Sequence, residues 1–128
     1  MITKYLEIKG YWGVLLCFDF DERDAYDMAA YMESFGLSDW KIDKALDVLL
    51  DNYNTGMTIS SFATRMSLVF ISDADSVEQW CDTLAHEIDH VQDAICEYYG
   101  VPLGSERAAW LQGYIARMAT RKLLSHFM

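Results

Sequence analysis

The chain has 128 residues, 52% of them apolar, and a net charge of −10. That is one domain's length with enough apolar surface for a core, so general disorder is excluded, and no linker or repeat divides residues 1–128. Residues 19–51 carry ten acids against three bases, and residues 72–97 carry eight acids and no base. No nucleic-acid partner is expected, because phosphate contacts need clustered Lys and Arg.

Met1 to Gly10 reads M-I-T-K-Y-L-E-I-K-G and lacks the apolar stretch of a secretory signal. No apolar run approaches the roughly 20 residues of a membrane helix. The expectation is a cytoplasmic protein without a membrane partner. Cys17, Cys81 and Cys96 are odd in number and lack C-x-x-C spacing, so they read as buried thiols.

Tyr11 to Phe18 is apolar and β-prone, a strand. Asp19, Asp21 and Glu22 load the first turn of a helix that runs to about Phe35 and stops at Gly36. Ser38 or Asp39 caps a second helix to about Tyr53, with Ile42, Leu46, Leu49 and Leu50 on one face. Met57 to Ser60 reads as a short strand and Arg65 to Ser72 as a better one. Asp75 and Glu78 have capping-box spacing ahead of a long helix that ends near Gly100, with Trp80, Leu84, Ile88, Val91 and Ile95 as its apolar stripe. Ser105 caps the last helix, whose core side carries Leu111, Ile115 and Met118. The predicted fold is α+β, with about three strands packed on helices. The four tryptophans are expected in the core or an interface, and His126 near the surface.

The long helix contains H-E-I-D-H at His86 to His90. Two histidines four apart lie on one helix face, a turn apart, and can bind one metal without bending the helix. Imidazole nitrogens suit zinc, which keeps a water in its fourth position when catalytic. Glu87, beside them, is placed to take that water's proton and pass it to a leaving amine. A chance H-E-x-x-H in a chain of this composition has a probability of about 1% or less.

A third ligand must come from elsewhere, since the chain continues V-Q-D-A-I-C without another histidine. Glu106 opens the next helix, where a carboxylate is electrostatically favoured, and Ala109 and Gly113 follow on its side at a spacing that would let two helices approach closely. A plain hairpin of straight helices would leave Glu106 roughly 13 Å beyond His90, at about 1.5 Å per residue. The long helix must therefore end or bend near Ala94 to Glu97, or the last helix must cross it steeply. Asp93 and Glu97 share the histidine face and are the alternative ligands. Tyr114 is the first candidate for stabilising an oxyanion, with Tyr98 and Tyr99 behind it.

T-L-A-H-E-I-D-H followed by S-E-R-A-A-W-L-Q-G-Y-I resembles the gluzincins, and in particular short zincin-like proteins of phages and gut Bacteroidales. The resemblance covers about Met66 to Tyr114. It implies a minimal zincin-like domain with an active-site helix and a C-terminal glutamate helix. It implies a zinc metallopeptidase acting on a peptide or protein substrate, with one zinc per chain held by His86, His90 and Glu106 and with Glu87 as base. Met66 to Ile71 would be the edge strand bordering the cleft. Two departures stand out: Trp110 stands four residues after Glu106, where thermolysin-like enzymes carry an acid, and no second subdomain builds the far wall of a cleft. A catalytically inactive zincin scaffold that binds a partner through its acidic surface is the alternative, and an H-E-x-x-H without metal the third reading.

Overall fold

The computed structural model describes residues 1–127, with side chains as far as residue 123. His126 lies outside the described side chains. The described elements are β1 (Ile2–Ile8), β2 (Trp12–Phe18), a one-turn 3-10 helix (Glu22–Asp24), α1 (Ala25–Ser34), α2 (Asp39–Asp51), β3 (Gly56–Ser61), β4 (Met66–Ile71), α3 (Val77–Tyr99) and α4 (Glu106–Phe127). The class is α+β, but the sheet has four strands rather than about three, in the order β1-β2-β4-β3. The additional strand is β1, where Leu6 and Ile8 alternate with exposed Tyr5 and Glu7. β2 pairs in parallel with β4, and the two outer pairs are antiparallel.

β2 and β4 lie inside the sheet with helices over both faces. That is why W-G-V-L-L-C-F and M-S-L-V-F-I read as nearly unbroken apolar runs. Val14, Leu16, Phe18, Val69 and Ile71 face one layer, against Leu84, Ile88, Val91 and Ile95 of α3 and Ile115 and Ala119 of α4. Cys17, Leu68 and Phe70 face the other, against Met28 and Met32 of α1 and Ile42 and Leu49 of α2. Each such large side chain contributes about 1.5–3 kcal/mol by leaving water. A polar thread runs from this core towards the sheet edge: the Trp12 indole donates to Ser67 Oγ at 2.9 Å, and Ser67 shares a hydrogen bond with Ser60 at 2.7 Å.

α3 begins one residue later than its expected cap. The Ser76 hydroxyl accepts from the Gln79 N–H at 3.1 Å, whereas Asp75 bonds Asn54 instead. The helix runs unbroken to Tyr99 and stops at Gly100, whose φ of 71° suits a residue without Cβ. Ser105 caps α4 as expected, accepting from the Ala108 N–H at 3.2 Å. Gln92 of α3 donates to the Ala108 carbonyl at 3.2 Å and ties the two helices together.

One expectation about a single residue fails. Cys17 and Cys96 are buried, but Cys81 is exposed, because its position on α3 lies outside the stripe that faces the sheet. Trp12 is buried and Trp80 packs against the core, but Trp40 and Trp110 are each 59% exposed. Among the described residues, no helix is long and apolar enough to cross a membrane.

Candidate functional site

His86 and His90 stand on the outward face of α3, opposite the stripe that packs on the sheet. Their Nε2 atoms are 3.3 Å apart, and their rings are nearly perpendicular, with centroids at 4.8 Å. Two imidazole nitrogens bound to a tetrahedral zinc at about 2.0–2.1 Å stand about 3.3–3.4 Å from each other. The pair thus already has the bite of that ion. The same separation also suits one shared proton between the rings.

Glu87 is turned away from the histidines by one helical step and faces β3. It is 3% exposed, which for a carboxylate demands a partner. Thr58 Oγ1 donates to its Oε1 at 2.8 Å, and the same hydroxyl lies 3.3 Å from the Glu87 carbonyl oxygen. Gly56 makes this approach possible: a Cβ there would stand 2.8 Å from Glu87 Cγ and 2.9 Å from Thr83 Cγ2. The strand against the motif is therefore β3, an edge of the sheet, and not Met66–Ile71, which lies in the interior between β2 and β3. Pairing order, not nearness in sequence, decides which strand borders the motif.

Two open hollows meet at His86 and Glu87. One, of about 430 Å³, is lined by Thr58, Ser60, His86, Glu87, His90, Asp93 and Glu97 among others. The other, of about 560 Å³, adds Asn54, Asp82, Asp89 and Gln112. Among the described residues that line them, the charged side chains other than histidine are all acids. Gln112 Oε1 is buried and has no hydrogen-bond partner.

Glu106 is not gathered with the histidines. Among the described residues, no group of three or more His, Cys, Asp or Glu side chains is placed to hold a metal ion. α3 does not end near Ala94 to Glu97, which was one of the two courses that would bring Glu106 back to His90. The close approach to α3 is made by buried Ala108, and the Ala109 and Gly113 side of α4 is open: Ala109 is exposed, and a Cβ on Gly113 would meet nothing within 4 Å. Asp93 and Glu97, by contrast, line the histidine hollow. Tyr114 lines neither hollow. It stacks on Trp110 at 5.3 Å, with Lys9 Nζ and the Arg117 guanidinium each 5.4 Å from its ring.

Thr58, Gly56 and Gln112 escaped the sequence reading. Thr58 and Glu87 are 29 residues apart, and nothing in T-I-S-S marks a partner for a carboxylate. No family model, curated protein or solved structure matches the chain, so its function has to be argued from this constellation.

Proposed function

We propose that the protein is a zinc-dependent hydrolase acting on peptide bonds, built on a minimal zincin-like domain. The observation that carries this reading is the 3.3 Å separation of the His86 and His90 Nε2 atoms, with the hydrogen-bonded Glu87 lining the same hollow. The two imidazoles would hold the metal, which when bound would polarise a carbonyl and ease the ionisation of water. Glu87 supplies the base. Thr58 fixes one carboxylate oxygen, which leaves the other to take a proton from water and deliver it to the leaving amine. The free margin of β3 offers backbone donors and acceptors to an extended substrate beside that carboxylate. The third ligand would be a carboxylate; none is gathered with both histidines among the described residues, and Asp93 and Glu97 stand ahead of Glu106 because they share the histidine hollow.

The purified chain is expected to carry or take up about one zinc, and His86→Ala to lose it. Glu87→Gln is expected to keep the metal and abolish cleavage of an unfolded protein substrate. A chain that accepts no zinc ends this reading; a Glu87→Gln protein as active as the parent ends the role of that carboxylate. Zinc affinity in Asp93→Asn, Glu97→Gln and Glu106→Gln assigns the third donor.

A second reading, a catalytically inactive scaffold for a basic protein partner, is favoured by the acids Asp82, Asp89, Asp93 and Glu97 around the histidines. It predicts zinc uptake without hydrolysis in the unaltered chain.

A further inference from the structure

A third hollow, of about 790 Å³, shares no lining residue with the two beside the histidines. It opens past the ends of the parallel strands β2 and β4, where Phe18 and Asp19 leave one strand and Asp73 and Ala74 follow the other. Ligand sites in open sheets gather at the carboxyl ends of parallel strands. The volume lies within the usual range of small-molecule pockets, about 300–1,000 Å³.

Its chemistry is one-sided. Phe18, Trp80, Leu84 and Leu123 form an apolar floor and wall, and exposed Tyr53 and Val77 extend it to the mouth. Phe18 and Trp80 meet edge to face with centroids at 5.9 Å. Asp19 and Asp73 line the rim, and no base does so among the described residues. The positive end of α3 also opens here, but Ser76 caps it and Asp73, Asp75 and Glu78 lie within three residues of that cap, which offsets its charge. An aromatic lining with carboxylates at its rim favours positive charge over a neutral or negative head.

We propose that this hollow is a binding site for an organic cation with a bulky apolar body, an arylalkyl ammonium being the simplest example. The body fills the space over Phe18, Trp80 and Leu84, and the cationic head lies between Asp19 and Asp73. The site is separate from the histidine centre and requires no metal.

The test uses the whole chain with 4-phenylbutylammonium, and with 4-phenylbutanol and 4-phenylbutanoate as neutral and anionic probes of the same body. Binding is followed through the Trp80 indole resonance in NMR titrations. The ammonium is expected to bind at least about fivefold more tightly than the alcohol, and the carboxylate more weakly than either. Asp19→Asn with Asp73→Asn should bring the ammonium to the alcohol's affinity. Asparagine keeps the fold here, because Asp19 has a φ of 53°, a conformation that asparagine also accepts. Thr120→Phe, placed at an exposed lining position, should block all three probes without removing a core atom. Equal affinity for ammonium and alcohol, no binding of the ammonium, or binding that survives Thr120→Phe overturns the proposal.

Discussion

Gly56 lies where β3 passes over the stem of Glu87, and its lack of a side chain sets the distance between strand and helix. Gly56→Ala is expected to destabilise the fold by about 1–3 kcal/mol, as overpacking does, and to loosen the Thr58 hydrogen bond. Urea unfolding measures the first effect, and an alanine variant as stable as the parent would show that the helix yields easily. The cysteines divide as sharply. Burial pushes the Cys17 thiol up to about 12 from its ordinary 9.0, and burial followed by the charge of Asp93 raises that of Cys96. Native protein at neutral pH should be alkylated at Cys81 alone, as peptide mapping will reveal. Because folding raises the Cys17 value, its contribution to stability is intact below pH 9.0 and is lost as pH climbs from there through about 12. Alkaline unfolding should begin earlier in the parent than in Cys17→Ala, after allowance for the cavity. His86, Glu87 and His90 could be read from sequence because they belong to one helical turn. Their neighbours Thr58 and Gly56 could not, since contacts across 29 and 31 residues leave no local trace.

Among elements, α3 was the most legible, since its stripe has a helical period and its end is marked by glycine. Its start was displaced by one residue because Asp75 and Ser76 are both competent caps and Asn54 engages the aspartate. Ser76→Ala is therefore expected to cost about 1 kcal/mol, with Asp75→Ala costing less; thermal unfolding of both variants orders them, and the reverse order would return the cap to Asp75. β1 was hidden because only Leu6 and Ile8 are strongly buried along it, too short an alternation to stand out. That Met66–Ile71 is flanked on both sides was not readable either, because an apolar run specifies burial but not which strands do the burying. The rotation of α4 is hidden in the sequence for a related reason. Small residues occur at 108, 109 and 113, and only packing reveals that Ala108 takes the contact and leaves the side with Ala109 open.

At the scale of the molecule, the strand order makes β1 and β3 the margins of the sheet among the described residues, and β3 runs beside the histidines. Zinc held by the native pair but not by the unfolded chain would raise stability by about 2.7 kcal/mol at a free concentration a hundred times its dissociation constant. Calorimetry with and without zinc should record a higher melting temperature, and His90→Ala should erase the difference. The parallel pairing of β2 with β4 reaches further still. The two strands are separated by all of α1, α2 and β3, so their pairing must close a long loop, and such contacts slow folding. While the chain is being made, W-G-V-L-L-C-F has left the ribosome long before its second neighbour is available, with a bare row of amides on one side. An edge left bare in that interval favours self-association until Met66–Ile71 arrives to cover it.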